Sequence, residues 1–170
     1  MNKKTFMKLI VAMLLIHLDF NIGLGGASLD ILPNFIGYIL IFLALCDFEK
    51  LSSGFRKFKP VCIVLICYSA VTWVVPINIY LVHAIVYFIN VAFWFMLLAG
   101  ISALCRQSGL TARANTLAGI RNFYCIFQIC FFITANLFYI EILAMILGVI
   151  NLLMILLIAY NFNQIRQEIQ

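Results

Sequence analysis

The sequence predicts an all-α membrane protein: one domain over residues 1–170, built as a bundle of six transmembrane helices with both termini in the cytoplasm. Of its 170 residues, 66% are hydrophobic and 10% are charged, whereas a soluble domain carries roughly 25% charged residues. The apolar runs are unbroken rather than alternating. This favours helices over a barrel, because a helix satisfies its backbone hydrogen bonds within its own segment. Six crossings leave about 28 residues for each helix and its connection, against roughly 20 needed to cross a bilayer.

The first two spans flank a polar interruption, HLDFNIGLGGASLDILPNFIG, at residues 17–37. We expect this stretch to contain the outer ends of both helices and the turn between them. Asp30 is expected to cap the second helix, with Pro33 in its first turn, where the missing amide hydrogen costs nothing. A cleaved signal peptide is the alternative. Such segments are shorter and rarely contain an acid like Asp19, so the first span is expected to be retained.

Prolines and short polar connections set the later spans. Pro60 is expected to begin the third span, and Pro76 the tight return into the fourth. Glu141 marks a turn so short that spans five and six are expected to lie side by side and antiparallel. In order, the predicted spans cover about 5–25, 31–47, 60–76, 80–105, 120–139 and 141–162.

The positive charges predict the orientation. All eleven basic residues fall in four segments: the amino terminus, residues 47–60, residues 105–121 and the carboxyl-terminal tail. Because membrane proteins concentrate Lys and Arg on the cytoplasmic side, these segments are expected to face the cytoplasm and the headgroups of the lipid bilayer. A nucleic-acid partner is excluded, since no soluble face is available to present the charge. The basic residues are Lys3, Lys4, Lys8, Lys50, Arg56, Lys57, Lys59, Arg106, Arg113, Arg121 and Arg166.

One acidic residue is unusual because of its depth. Asp19 precedes Gly25 by six residues, which places it roughly 9 Å inside the outer boundary of an unbroken first helix. An unpaired Asp at depth costs about 2.5–3.5 kcal/mol on insertion scales. It is therefore expected to face other helices, water or a partner, and acids in such positions often mark an ion, proton or substrate path.

Other polar residues recur at helical spacing. Asp19, Gly23 and Gly26 share one face of an unbroken first helix. The same spacing recurs in the second helix, and a longer stripe begins span four. These sets are Asp30, Asn34 and Gly37, and His83, Tyr87, Asn90 and Trp94. We therefore expect an outward-facing polar pocket for a small molecule or ion. Its predicted members are Asp19, Asp30, Asn34, His83 and Glu141.

Each member of this pocket also has a structural interpretation. Asp30 is placed to cap a helix. Glu141, in the first turn of span six, is favoured by the helix dipole. His83 and Asn90 belong to residue types that hydrogen-bond across helices in membrane bundles, a contact worth about 0.6–2 kcal/mol.

Signatures of catalysis, metal binding and cofactor binding are missing from the sequence. The six cysteines contain no CxxC pair, so neither a redox relay nor a metal–thiolate site is expected. No HExxH, GxSxG or Gly-rich phosphate loop occurs. We therefore predict no catalytic residues, no metal and no cofactor.

Residues 31–41, ILPNFIGYILI, resemble an ILP(D/N)FIGYILI-like segment in a group of small, uncharacterised bacterial multi-pass membrane proteins. The resemblance implies a bacterial plasma-membrane protein without an assigned activity, and Asn34 occupies the position that carries Asp in some members. In size and span number the chain is also similar to the substrate-binding membrane subunits of energy-coupling-factor vitamin transporters. Their AxxxA coupling surface has no clear match in the first span, so this likeness is architectural.

Three functional hypotheses follow from these observations. The first is a small-solute or ion transporter, or the membrane subunit of one, that uses the outward-facing pocket. The second is a non-catalytic accessory or assembly protein whose polar residues join helices, together with a second copy or a partner membrane protein. The third is an intramembrane enzyme acting on lipid-linked material, which the absence of catalytic motifs places last.

Overall fold

The computed structural model of the chain describes residues 2–17, 21–24, 27–30, 33–75, 79–134 and 141–169, with side chains throughout except at 21–24, 27–30, 141 and 144. Six α-helices, two short strands and one 3₁₀ helix account for the regular structure of these ranges. In chain order they are α1 (Lys3–His17), β1 (Asn21–Leu24), β2 (Ala27–Asp30), α2 (Asn34–Glu49), the 3₁₀ helix (Ser53–Phe58), α3 (Lys59–Val74), α4 (Tyr80–Gln107), α5 (Thr111–Ile133) and α6 (Glu141–Glu168).

The predicted all-α class is confirmed, with one two-stranded hairpin as an exception. Within the described ranges, four helical segments are long and apolar enough to cross a membrane: Ser53–Val74, Tyr80–Gln107, Thr111–Ile133 and Met145–Glu168. The chain thus has the character of an integral membrane protein. Helices α1 and α2 contain 15 and 16 residues, or roughly 22 and 24 Å at 1.5 Å per residue. Each is shorter than a hydrocarbon layer of about 30 Å.

The predicted first helix was too long. Helix α1 ends at His17, and residues 21–24 pair as a strand with residues 27–30. Between the two strands the sequence reads Gly25-Gly26, a pair that is typical of hairpin connections. Glycine also disfavours a helix interior by about 1 kcal/mol. Because Gly23 lies in β1, it does not share a helical face with Asp19. Asp19 itself lies outside the described residues.

The predicted start of the second helix was also wrong. Asp30 lies in β2, paired with Asn21, so it does not cap α2. Pro33 occupies the cap position with φ −60° and ψ 128°, and no side chain bonds to the first turn. Because the residue before a helix needs extended backbone angles, which proline readily adopts, α2 begins at Asn34.

The chain divides into two compact units, Met1–Asn90 with Phe162–Gln170, and Val91–Asn161. In the first unit, α1 and α2 lie antiparallel. We call the end where α1 finishes and α2 begins the hairpin end, and the end where α1 begins and α2 finishes the charged end. At the charged end, the ring of Phe6 meets the rings of Phe48 at 5.7 Å and Phe162 at 6.1 Å, both edge to face.

Helices α2 and α3 are also antiparallel. The Phe35 and Trp73 rings lie 5.9 Å apart, and the Cys62 thiol donates to the Tyr38 carbonyl over 3.3 Å. The 3₁₀ helix between them is anchored by Phe55, which stacks on Phe48 at 5.0 Å. Lys59 and Pro60 begin α3, close to the predicted position.

The second unit contains the turn between α4 and α5. Gly109 has φ +82°, a left-handed conformation that costs glycine little and ends many helices. The Leu110 amide donates to the Cys105 carbonyl over 2.9 Å, and the Ser102 hydroxyl donates to the Ala114 carbonyl over 2.7 Å. Helix α5 begins at Thr111, ahead of the predicted fifth span, so Arg113 and Arg121 lie on a helix rather than in a loop.

The beginning of α1 and the end of α6 meet in the first unit. The Arg166 guanidinium donates to the Met7 sulfur over 3.2 Å, and Phe6 contacts Phe162. The first and last helices of the chain are therefore in contact.

Candidate functional site: polar contacts between helices

The structure describes two of the five side chains predicted to line the outer pocket. Asp19 lies outside the described residues, and the side chains of Asp30, in β2, and Glu141, the first residue of α6, lie outside them as well. Asn34 and His83 are described, and the structure gives them different partners.

Asn34 is placed at the hairpin end by the start of α2. With its amide oriented so that the nitrogen faces the last turn of α1, it donates to the carbonyls of Leu15 (3.0 Å) and Ile16 (3.2 Å). The last four carbonyls of a helix have no partner within the helix. Asn34 therefore supplies a donor to two carbonyls in the last turn of α1, a role that an aspartate could not fill because a carboxylate has only acceptors.

Gly37 lies one turn further along α2 and allows the two helices to approach closely. A Cβ atom at this position would lie 2.9 Å from the Ala12 carbonyl oxygen and 2.5 Å from a side-chain carbon of Ile16. The Ala12 carbonyl oxygen belongs to the backbone, so it cannot move aside unless a helix shifts. Together, Asn34 and Gly37 give the ILPNFIGYILI segment a packing role.

His83 hydrogen-bonds to a neighbouring helix rather than to Asn34. Its Nδ1 atom lies 2.6 Å from the Tyr68 hydroxyl of α3, in an exposed position, with the two rings edge to face. Further along the predicted stripe, Asn90 accepts a 3.0 Å hydrogen bond from the Tyr38 hydroxyl of α2. The stripe on α4 thus contacts two different helices, as the structural interpretation of these residues predicts.

A comparable polar pair occurs in the second unit. The Gln128 amide of α5 donates to the Asn151 carbonyl oxygen of α6 over 2.7 Å. Gln128 is buried, with 4% of its surface exposed. Burying an amide is costly unless it finds a partner, so this pair specifies how α5 and α6 align.

A cluster of charged residues at the charged end was not predicted from the sequence. The Asp47 carboxylate accepts hydrogen bonds from Lys8 Nζ (2.7 Å) and Thr5 Oγ1 (3.0 Å), and Lys50 Nζ lies 3.9 Å away. The hydrogen bond from Lys8 is the main reason why the pKa of Asp47 lies below its ordinary value. Partial burial of the carboxylate opposes this shift, and the Thr5 hydrogen bond adds to it.

Glu49 forms the second half of this cluster. Its carboxylate pairs with Lys59 at the start of α3 and lies 4.0 Å from Arg56 of the 3₁₀ helix. The hydrogen bond from Lys59 lowers the pKa of Glu49. Because Lys8 and Asp47 are 39 residues apart, only the antiparallel packing of α1 and α2 brings them together. The signal for this cluster in the sequence was limited to the position of Asp47 and Glu49 beside a basic segment.

The described residues contain no group of three or more His, Cys, Asp or Glu side chains arranged to hold a metal ion. The six cysteines carry free thiols. Several of the described polar residues bond one helix to another, and within the α1–α2 pair these contacts are neutral at the hairpin end and charged at the charged end.

No protein-family model, curated protein or solved structure matches the chain. The resemblance of residues 31–41 to a group of bacterial membrane proteins therefore stays a prediction.

Proposed function

We propose that the chain is a six-crossing protein of the bacterial plasma membrane with both termini in the cytoplasm. The meeting of Met7 and Arg166 supports an even number of crossings, and the position of the basic residues supports the orientation. The hairpin between the short helices α1 and α2 has four-residue strands, each about 13 Å long. A hairpin has unpaired backbone groups at its edges, so it would lie in the outer interface rather than in hydrocarbon.

Cysteine labelling in intact cells tests this topology. Single cysteines at Ser28, Ser53 and Ser108 would be treated with a membrane-impermeant maleimide, with the unsubstituted protein as background for the native thiols. We expect labelling of Ser28→Cys from outside, and labelling of Ser53→Cys and Ser108→Cys only after the membrane is permeabilised. Ser53 and Ser108 are exposed in the structure, so external labelling of either residue would contradict the proposed orientation.

We further propose that the protein is a non-catalytic accessory or assembly protein of the membrane, in which the polar residues join helices. The observation that carries this proposal is that both described members of the predicted pocket bond to another helix. Asn34 bonds to α1 and His83 to α3. Tyr38 with Asn90, and Gln128 with Asn151, extend the same pattern to other helices.

A double-mutant cycle on Tyr38 and Asn90 tests the joining role. Asn90→Leu leaves the Tyr38 hydroxyl without its acceptor, whereas Tyr38→Phe combined with Asn90→Leu removes both polar groups. Since an abandoned partner costs more than an apolar pair, the double variant should unfold at a higher temperature than Asn90→Leu. The coupling should be about 0.6–1.7 kcal/mol. Strictly additive effects would count against the joining role.

Transport of a small solute or ion is the second candidate, favoured by one observation. The His83–Tyr68 pair is exposed, so the imidazole of His83 is accessible to a ligand. The test is H⁺ and Na⁺ flux into liposomes that contain the purified protein or its His83→Gln variant. Flux that exceeds that of empty liposomes and is lost in His83→Gln would support transport. Equal flux in all three preparations would contradict transport and would favour the joining role.

A further inference from the structure

The termini of the helical chain form a second basic region, distinct from the paired charges around Asp47. Residues from α1 and α6 line an open cleft of about 480 Å³, within the range of roughly 300–1,000 Å³ that is typical of small-molecule sites. We call it the terminal cleft. Its lining residues are Lys3, Lys4, Met7, Arg166 and Gln167.

Among the described residues, the cations of the terminal cleft have no carboxylate partner of the kind that neutralises the other cations. Among the described residues of this unit, the ion pairs involve Lys8, Lys50, Arg56 and Lys59. None involves Lys3, Lys4 or Arg166. The guanidinium of Arg166 donates one hydrogen bond to the Met7 thioether, which is a weak acceptor, and a guanidinium has five donors in all.

The backbone adds to the positive potential of the cleft. Lys3 begins α1, and the positive end of a helix dipole favours an anion. Asn2 satisfies part of this helix end, since its side-chain oxygen accepts from the Lys4 amide over 2.9 Å.

The position of the cleft indicates where its ligand comes from. Arg166 lies in the last turn of α6, whose segment Met145–Glu168 is long and apolar enough to cross a membrane. In the proposed topology, the cleft lies at the level of the lipid headgroups, where long basic side chains extend toward phosphates. Met7, which is 46% exposed, offers an apolar contact beside the cations, as an acyl chain requires.

We propose that the terminal cleft binds the phosphate group of an anionic phospholipid. The two lysines supply point charges, and Arg166 supplies the planar fork that matches two phosphate oxygens. The proposed topology identifies the cytoplasmic leaflet as the source of the lipid, but the binding chemistry does not depend on the accessory role. Failure of one proposal would therefore leave the other intact.

The test compares two triple variants of the full-length protein that each lose two lysines and one arginine. The cleft variant is Lys3→Gln, Lys4→Gln, Arg166→Gln. The control variant, Lys50→Gln, Arg56→Gln, Lys57→Gln, removes the same charge from exposed positions outside the cleft. Binding of phosphatidylglycerol and phosphatidylcholine would be measured by native mass spectrometry in detergent, with circular dichroism to show that each variant keeps its helices.

We expect the unsubstituted protein to retain phosphatidylglycerol in preference to phosphatidylcholine. One basic residue near an anionic membrane changes affinity roughly fivefold, so the cleft variant should bind phosphatidylglycerol at least about tenfold more weakly, and the control variant less than about threefold. Arg166→Lys keeps the charge but loses the fork, and should show an intermediate loss. Equal losses in the two triple variants would overturn the site, because they would indicate diffuse surface charge.

A second arm distinguishes the lipid from soluble phosphate. Inorganic phosphate at millimolar concentration would be added to the protein with bound phosphatidylglycerol. We expect the lipid to remain bound, because phosphate alone lacks the apolar contact with Met7. Displacement of the lipid by phosphate at these concentrations would overturn the lipid as the ligand.

Discussion

The two ends of the α1–α2 pair are held together by different chemistry. At the hairpin end, Asn34 donates to two carbonyls of α1 and Gly37 lets the backbones approach. At the charged end, Asp47 accepts from Lys8 and Thr5. In or near hydrocarbon, joining two helices through neutral groups costs less free energy than joining them through charged groups. Charged groups are tolerated where water and lipid headgroups are close. One helix pair can therefore respond to salt and pH at one end alone.

The largest effect is expected for Gly37→Ala. The new methyl group would meet the Ala12 carbonyl and Ile16, so the hairpin end would have to open, at a cost of about 1–3 kcal/mol in the free energy of unfolding. Thermal unfolding in detergent measures this loss. Gly148→Ala is the matched control, since a Cβ there meets nothing within 4 Å and should be neutral or slightly stabilising. Equal unfolding temperatures for the two variants would refute the close approach.

Asn34→Ala is expected to lower stability by about 1 kcal/mol, because the Leu15 and Ile16 carbonyls would lose their donor. The loss should be independent of pH and salt, since no charge is involved. Asn163→Ala, on α6, is the control for removing an amide of the same size. If both variants unfold at the same temperature, the hydrogen bonds from Asn34 do not stabilise the end of α1.

The charged end should give a pH dependence through Asp47. Its pKa in the folded protein is lowered below the ordinary value of 3.8, so the stability it contributes is fully present above that value. This stability is lost as the pH falls through the lower, folded pKa. Unfolding temperatures measured from pH 7 down to pH 3 should therefore fall more steeply at the acid end for the unsubstituted protein than for Asp47→Asn. Parallel curves would show that the Asp47 contacts do not persist in solution.

The smallest effect is expected for Glu49→Gln. Glu49 pairs with Lys59 and with the largely exposed Arg56, without the additional hydrogen bond that Thr5 donates to Asp47, and ion pairs near the surface contribute little to stability. The unfolding temperature should fall less than in Asp47→Asn, and 1 M salt should remove most of the difference from the unsubstituted protein. A loss greater than that of Asp47→Asn would mean that the 3₁₀ helix, rather than α1, anchors the end of α2.

The sequence predicted the helices wherever an apolar run had a clear boundary. Tyr80 and Glu141 begin α4 and α6 at the predicted positions, and α3 begins at Lys59, one residue before Pro60. The first helix was misjudged because the apolar run continues through residues that form β1, and hydropathy alone does not distinguish a helix from a strand over so few residues. Because α1 ends at His17 and Gly23 lies in β1, Gly23 does not share a helical face with Asp19.

The site was harder to predict than the helices. His83 and Asn90 were recognised as polar residues facing other helices, but their partners, Tyr68 and Tyr38, are ordinary aromatic residues in the sequence. The role of Asn34 depends on where α1 ends, and the Lys8–Asp47 pair depends on antiparallel packing across 39 residues. Long-range contacts of this kind have no local sequence signature.

The salt dependence of unfolding tests most directly whether the α1–α2 pair has one neutral end and one charged end. It would be measured for three proteins: the unsubstituted chain, Asp47→Asn and Asn34→Ala. Thermal unfolding would be measured at 20 mM and 1 M sodium chloride. We predict that salt lowers the unfolding temperature of the unsubstituted chain and of Asn34→Ala by similar amounts, and that Asp47→Asn loses most of this response. A salt response that is unchanged in Asp47→Asn, or that disappears in Asn34→Ala, would contradict the division between a neutral and a charged end.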